Sequence, residues 1–429
     1  MNISELYHYF KQSYLVSTDT RKITKGCLFF ALKGDTFNGN KFAKNALEKG
    51  AAYAIVDEEV YKTNQQIILV KDVLETLQSL ATYHRGKLGV PIVALTGSNG
   101  KTTTKELVNV VLSRKYKTTA TLGNLNNHIG VPLTLLSMTP KTEIGIVEMG
   151  ANHLKEIDFL CQIAQPDYGY ITNFGKAHLE GFGSLEGVIQ GKTELYQYIK
   201  SQNKTVFVNN EDKIQVEKSE NIDKITFGKD NVDVEVSFIE ANPFVKVQFN
   251  DKTVVSQLIG AYNYNNIAAA IAIGCHFNVP KEEIASAIEN YIPTNNRSQI
   301  IEKGSNKIVL DAYNANPSSM QVALENLSGL TDTYKMAVLG DMFELGFEAE
   351  VEHQGIVNLL SRLKIDKAYL IGENFYKINL KQSEENNSIV LFKSFDDFKS
   401  YFSKQKIENA TLLIKASRGM ALERILDLI

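Results

Sequence analysis

Short apolar runs at residues 27–32, 52–56 and 67–70, bounded by turn residues, predict buried strands, and the spacing over 72–84 predicts a helix after them. The stretch Arg85-Gly-Lys-Leu-Gly-Val-Pro91, with two glycines and a proline, reads as a linker. Beyond it, 92–96 predicts a buried strand and 101–114 a helix with Leu107, Val110 and Val111 on its apolar side. Strand 144–148, helix 154–163 and strand 168–172 continue the alternation, which predicts a parallel sheet with crossover helices. Between 231 and 258 the period changes to two: Val232, Val234, Val236 and Phe238, then Val245, Val247 and Phe249. With Asn242-Pro243 and Asn250-Asp251 at its bends, this segment predicts a small antiparallel meander. A third alternating unit starts near Lys307, with strands expected at 308–311, 336–340, 368–371 and 412–415, each followed by a helical pattern. The expected class is α/β, in three domains: 1–85, 86–299 and 300–429.

Composition narrows the function. At 429 residues, with 44% hydrophobic and 22% charged residues, the chain has material for several ordinary cores and lacks the signature of disorder. A formal charge of −3 argues against a broad nucleic-acid-binding surface, so anionic ligands must be held by local clusters or metal ions. Cys27, Cys161 and Cys275 form neither a disulfide framework nor a zinc spacing. The first twelve residues are too polar for a secretory segment, and the most apolar stretch, 267–275, is far shorter than the roughly 20 residues of a membrane span. A cytoplasmic protein without a membrane span is expected.

Gly97-Ser-Asn-Gly-Lys-Thr-Thr103 follows one predicted strand and opens a helix. Glycines let backbone N–H groups turn inward, the helix N-terminus adds positive potential, and Lys101 can reach the β- and γ-phosphates while Thr102 ligates Mg²⁺. The usual P-loop has a further glycine five residues before the Gly-Lys pair, where this chain has Leu95. No Gly-x-Gly-x-x-Gly follows a strand, which excludes the nicotinamide-dehydrogenase reading. Glu148 ends one parallel strand and His178 follows another, on the edge where open α/β sheets bind ligands, although a lone histidine is more often structural. Taken alone, Lys192 in Gly191-Lys-Thr-Glu194 is a helix-surface lysine paired with a carboxylate. Asn124-Leu-Asn-Asn127 and Tyr313-Asn-Ala-Asn-Pro317 are dense in amides, which suit sugars, bases and peptides as well as turns.

Together these pieces resemble the Mur ligase family along almost the whole chain. The resemblance rests on Asp19-Thr-Arg-Lys-Ile23, Leu28-Phe-Phe-Ala-Leu-Lys-Gly34, Leu95-Thr-Gly-Ser-Asn-Gly-Lys-Thr-Thr-Thr-Lys105 and Gly123-Asn-Leu-Asn-Asn127. Further blocks are Val147-Glu-Met-Gly-Ala-Asn152, Ile171-Thr-Asn-Phe-Gly-Lys-Ala-His178, Asp311-Ala-Tyr-Asn-Ala-Asn-Pro317 and Val338-Leu-Gly-Asp-Met-Phe-Glu-Leu-Gly346. The last two resemble the dipeptide-adding branch rather than the amino-acid-adding relatives.

The resemblance implies a UDP-sugar domain, a central ATPase-like domain and a C-terminal Rossmann-like domain. It also implies an ATP-dependent ligation of D-alanyl-D-alanine to UDP-MurNAc-tripeptide through an acyl phosphate, by a monomer. By position, Gly97, Ser98, Asn99, Gly100, Lys101, Thr102 and Thr103 correspond to the ATP cradle, and Asn263 and Asn266 to adenine contacts. Arg297 corresponds to an ATP-contacting arginine and Asp311 to the ribose-contacting aspartate. Thr102, Glu148, His178 and Lys192 correspond to the Mg²⁺ site, with Lys192 carbamylated and Lys101, Lys192 and His178 in catalytic roles. Thr20 and Arg21 fall in the UDP block, Asn124 and Asn127 in the central substrate block. Tyr313, Asn314, Asn316, Lys415, Ser417 and Arg418 fall on the C-terminal side of the cleft. Asn38-Gly-Asn40 stands where the family has Asp-Gly-His, and Tyr262 where it has histidine, so no role carries over to those positions. Domain closure would pivot at 86–91 and 292–307. The competing expectations are a relative adding a single amino acid and, from another class, a P-loop nucleotide switch.

Overall fold

In the computed structural model, which describes residues 1–293, 297–332, 334–378 and 388–429, three larger sheets follow one another along the chain. The first is parallel, in the order Val16–Ser17, Leu28–Phe30, Tyr53–Val56, Ile67–Leu69. The second has nine strands, in the order Lys252–Ile259, Phe244–Phe249, Val234–Ala241, Asp223–Gly228, Thr205–Asn209, Tyr168–Ile171, Ile92–Thr96, Ile144–Glu148, Thr118–Ala120. The expected meander is present as its first three strands, joined to the parallel part where Val234–Ala241 pairs with Asp223–Gly228. Ile92–Thr96 has Ile144–Glu148 on one side and Tyr168–Ile171 on the other. The chain therefore reverses its direction of travel across the sheet beside this strand, and a crevice opens at the carboxyl ends there.

The third sheet runs Gln299–Lys303, Asn306–Leu310, Thr411–Lys415, Lys335–Gly340, Lys367–Ile371, Ile389–Phe392, parallel except for its first strand. Thr411–Lys415 is followed by 3₁₀ turns rather than the expected helix. Helix Asn263–His276 contains the most apolar stretch of the sequence. It is buried on nearly every side, between the phosphate-loop helix Lys101–Leu112 and the central sheet, which explains why it reads as apolar all round. No helix among the described residues is long and apolar enough to cross a membrane.

The expected linker 85–91 is helical as far as Leu88. Helix Val73–Leu88, capped by Asp72 at its start and ended by Gly89 with φ +64°, runs straight through Arg85 and Gly86. It does so because both its faces are occupied. Leu77, Leu80 and Ala81 are fully buried in a core that spans the first and second sheets, and the helix packs on Gly130–Leu136 and Glu156–Ala164 of the central unit. His84, fully buried, joins the two: its Nε2 meets the Met138 carbonyl at 2.9 Å and its Nδ1 the Tyr7 hydroxyl at 3.2 Å. A carbonyl only accepts, so Nε2 carries the hydrogen and Nδ1 accepts from Tyr7. Arg85 reaches Asp167 at 2.7 Å and also donates to the Ala164 and Gln165 carbonyls. This packing holds residues 85–88 to the central unit and opposes a pivot there. Of the other expected pivot, 292–307, residues 294–296 lie outside the described residues, and most of the remainder forms the hairpin Gln299–Lys303/Asn306–Leu310.

Candidate active site

The phosphate loop is built by its glycines. Gly97 has φ +140°, and a Cβ there would lie 2.0 Å from Thr172 Oγ1; Gly100 has φ +78°, and a Cβ would lie 2.6 Å from Asn266 Oδ1. Neither place has room for a side chain, so the loop backbone can lie against its neighbours. The segment after Tyr168–Ile171 clamps it: Ser98 N donates to the Asn173 carbonyl at 3.1 Å, Asn99 N to Asn173 Oδ1 at 3.0 Å, and Thr172 Oγ1 to the Asn99 carbonyl at 2.6 Å. From behind, Thr104 donates to Asn266 Oδ1 at 2.9 Å, Asn266 to Asn263 Oδ1 at 2.8 Å, and Asn263 to the Ile259 carbonyl at 2.8 Å. The two asparagines therefore line the cavity and also fasten the loop helix to the helix beside it.

A cavity of about 1030 Å³ lies over this loop. Of the residues singled out in the sequence, it is lined by Ser98 to Thr103, Asn124, Asn127, Glu148, His178, Asn263, Asn266, Arg297, Asp311, Tyr313, Asn314, Asn316 and Lys415. Lys101 folds back, with its Nζ 2.7 Å from the Gly97 carbonyl. Enclosure pushes its ammonium below the ordinary lysine value, Glu148 pulls it back up, and Arg297 adds to the depression. Glu148 is 1% exposed; its Oε1 accepts from Asn126 at 2.7 Å, while its Oε2 is buried without a partner. Asn126 is hidden in the Asn-Leu-Asn-Asn block, where either flanking asparagine is as good a choice by sequence.

A buried carboxylate oxygen left unpaired is costly unless a cation meets it. Among the described residues no group of three histidine, cysteine, aspartate or glutamate side chains could hold a metal ion. This donor set fits Mg²⁺, which keeps several waters and takes one or two carboxylates plus substrate phosphates, and Thr102 and Glu148 share the cavity.

Lys192 is not a surface lysine. It is 0% exposed, lies over the Phe182 ring at 5.1 Å and donates to the Ala151 carbonyl at 3.1 Å. Burial, and then the charge of Lys101, push it well below the ordinary lysine value. It does not itself line the cavity; Ala151 does. Its expected partner Glu194 is engaged elsewhere, accepting from Lys155 N at 2.6 Å and Asp158 N at 3.0 Å, so it caps the start of helix Glu156–Ala164.

The C-terminal unit closes the far wall. Asp311 pairs with Lys415 at 2.5 Å and accepts from Ser298 N at 3.1 Å. The Arg297 guanidinium stacks on Tyr313, 3.5 Å from the ring centre, with its buried Nε unpartnered. Tyr262, to which the family resemblance carries no role, lines the cavity, and its hydroxyl meets Ser298 Oγ at 2.7 Å. His178 meets Glu344 of the C-terminal unit through its Nδ1, a contact no sequence signal indicates.

Five expected ligand-binding residues are not among those lining this cavity. Ser417 is buried, its hydroxyl accepting from Phe343 N at 2.8 Å and donating to the Ala315 carbonyl at 3.3 Å. Arg418 turns outward to Glu423 at 2.9 Å. Thr20 and Arg21 belong to the first unit, where Arg21 forks onto Asp19 through Nε and Nη2 and holds that carboxyl down to about 2. Gly97 underlies the loop rather than facing the cavity. Asn38 and Asn40 have structural partners: Asn40 is buried and exchanges hydrogen bonds with Asp57, and Asn38 donates to Glu58.

An α/β chain with a phosphate loop at the reversal point of its central sheet, and a second sheet unit closing over that loop, has the build of a nucleotide-dependent enzyme. Models of the Mur ligase family catalytic domain, the Mur ligase middle domain and the Mur ligase glutamate ligase domain match residues 12–85, 95–274 and 296–418. The UDP-N-acetylmuramoyl-tripeptide–D-alanyl-D-alanine ligase of Bacillus subtilis is 36% identical over 427 residues, covering 96% of this chain and 93% of that protein. The protein of the same name from Escherichia coli is 32% identical, covering 96% and 92%. Among solved structures, MurF from Acinetobacter baumannii superposes with a TM-score of 0.85 at 30% identity, covering 96% and 92%. MurF ligase from Thermotoga maritima in complex with ADP gives 0.83 at 28%, covering 96% of each chain. The chain belongs to the Mur ligase family, and it is an ATP-dependent ligase.

Proposed function

We propose that the chain joins D-alanyl-D-alanine to UDP-MurNAc-tripeptide, cleaving ATP to ADP and phosphate, and so makes the pentapeptide precursor of peptidoglycan. The observation that carries this reading is one cavity in which the phosphate loop, the unpartnered Glu148 oxygen and the amide-rich loop of the C-terminal unit meet. The Bacillus subtilis and Escherichia coli relatives bear the name of this reaction. Residues 1–85 would serve the UDP-sugar, 86–299 the nucleotide and 300–429 the incoming amine, with helix Val73–Leu88 common to the first two. The chain would act as a monomer in the cytoplasm, where its nucleotide substrates are soluble.

The chemistry explains the donor set. Two like charges 4 Å apart repel by about 4 kcal/mol at an effective dielectric near 20, so a carboxylate does not approach ATP unaided. Lys101 offsets this at the transferring phosphoryl group. Mg²⁺, held by Thr102, Glu148 and His178 with the nucleotide phosphates, would add neutralising charge there. The substrate carboxylate oxygen bonds to the γ-phosphorus as the bond to ADP breaks. The amine nitrogen then attacks the acyl carbon, loses its proton, and phosphate departs. Asn99, Asn316 and the stacked Arg297–Tyr313 pair enclose the nucleotide end of the cavity and keep water from the acyl phosphate.

Lys192 supplies the remaining charge when carbamylated. Its amine, whose neutral form burial favours, attacks CO₂, and a proton leaves as the N–C bond forms. The resulting anion would act as a carboxylate ligand, where an ammonium would repel the metal. Mass spectrometry of products from UDP-MurNAc-tripeptide and ATP tests the reading. Ligation of D-alanyl-D-alanine is expected; ligation of lysine or diaminopimelate instead would assign the chain to the amino-acid-adding branch.

A further inference from the structure

One block singled out in the sequence, Leu339-Gly-Asp-Met-Phe-Glu-Leu-Gly346, has no place in the ligation chemistry. Its backbone is held rigidly within the C-terminal unit. Asp341 accepts from Asn374 N at 2.9 Å and Phe375 N at 3.0 Å, Met342 N donates to His353 Nε2 at 3.1 Å, and Phe343 N donates to Ser417 Oγ. From this base Glu344 crosses to the central unit and makes two contacts at once. Its carboxylate meets His178 Nδ1, and its carbonyl accepts from Glu180 N at 3.1 Å. Both contacting residues adopt left-handed backbone, His178 at φ +54° and Glu344 at φ +61°. Two residues without glycine's freedom hold that conformation opposite one another, a local cost maintained by the surrounding contacts. Gly346 continues the docking, since a Cβ there would come 3.3 Å from Glu180 Cα.

We propose that Glu344 is a positioning residue that fixes the His178 ring when the C-terminal unit closes. A carboxylate on Nδ1 makes that nitrogen the N–H donor of the neutral ring, which leaves the Nε2 lone pair as the ligand atom. Because Glu344 arrives from the other unit, the ring is set only when the units are together. The block thereby links closure to the readiness of the cavity, which His178 lines. The inference rests on the proposed role of His178 and deepens it.

The test pairs kinetics with a readout on metal-free enzyme. Glu344→Ala is expected to lower kcat 10- to 100-fold, the range for removing such a partner, with KM for ATP changed less than threefold. Glu344→Gln, whose amide oxygen can still accept from Nδ1, is expected to recover a large part of that loss. In ¹⁵N spectra of histidine-labelled enzyme without metal, the His178 signals, assigned by their loss in His178→Ala, should show the Nδ1–H tautomer. In Glu344→Ala they should move toward the Nε2–H form. Normal kcat in Glu344→Ala, or unmoved His178 signals, with His178→Ala impaired, would overturn the positioning role alone. Full activity of His178→Ala would instead remove the reading beneath it.

Discussion

Asn316 donates a 2.8 Å hydrogen bond from its side-chain amide to Oδ1 of Asn99, in the middle of the phosphate loop and 217 positions earlier in the chain. The same side chain caps helix Pro317–Gly329, its Oδ1 accepting from Ser319 N at 2.9 Å. One asparagine thus starts a helix in the C-terminal unit and touches the loop of the central unit. Two neighbouring contacts, Lys176 N to Ser318 Oγ at 2.9 Å and Lys176 Nζ to Glu352 at 2.5 Å, join the same two units.

Asn316→Asp separates the two tasks. An aspartate caps a helix as well as an asparagine, so stability should stay within about 0.5 kcal/mol, whereas alanine would cost about 1 kcal/mol. Aspartate at neutral pH has no N–H to donate to Asn99. Thermal unfolding should therefore be nearly unchanged while kcat/KM for ATP falls about tenfold, or about 1.4 kcal/mol. Wild-type kinetics in this variant would show the Asn316–Asn99 contact to be idle.

Lys101→Ala should remove about 3 kcal/mol or more of transition-state stabilisation, a loss of at least a hundredfold in kcat. The Lys101 ammonium at present rests on the Gly97 and Ser98 carbonyls, so the folded loop should tolerate its removal. A folded variant with near-normal turnover would contradict the assignment of the loop to phosphate.

Lys192→Ala should be nearly inactive, and small carboxylates such as acetate should restore part of the rate by occupying the vacated space. Labelled bicarbonate should give a carbamate carbon signal in the wild type that the variant lacks. The sign of the pH effect follows from the depressed lysine value: the reactive neutral amine is present above that value and is lost as pH falls through it. Activation by CO₂ should accordingly fail on the acid side first. Full activity of Lys192→Ala in CO₂-depleted buffer would leave the lysine a purely structural role.

A chain starting at residue 86 should fail to fold, because it lacks most of helix Val73–Leu88 and bares the faces that this helix covers. A chain starting at residue 72 keeps the helix; calorimetry should show it binding ADP but not the UDP-sugar. Arg85→Ala should cost about 2 kcal/mol in urea unfolding, since it removes the Asp167 pair and two bonds to carbonyls while Lys204 and Ile92 N still hold that carboxylate. A soluble, cooperative chain from residue 86 would restore the expected border.

The strands that carry the cavity are legible in the sequence because each is a short apolar run with a polar end: 144–148 and 92–96 have the same limits in both. The phosphate loop is legible for the same reason, its glycines and lysine being local. Helix Val73–Leu88 looks shorter in the sequence because Gly86 resembles punctuation, and only tertiary packing carries the helix past it. Thr118–Ala120, an edge strand of three residues, has too few positions to show a period. Lys192 looks exposed because Thr193 and Glu194 surround it with polarity, while the helix turns all three inward. The pairing of His178 with Glu344 depends on docking across 166 positions, which no local pattern encodes.

Helix Val73–Leu88 also bears on how such chains can be recombined. Its buried residues lie in one hydrophobic cluster shared by the first and central units, and His84 reads Tyr7 on one side and Met138 on the other. An exchange of the first unit between relatives, whether in a laboratory chimera or in a lineage, cannot be made cleanly at the border the sequence suggests. The helix must travel with one parent and meet the other parent's surface, so each crossover brings a mismatch in side-chain volume and one orphaned imidazole partner. The third unit is joined by polar contacts at its loops and by apolar side chains around Leu179, Phe182 and Leu345 that continue the same cluster, so a graft there must match packing as well as hydrogen bonds and charges.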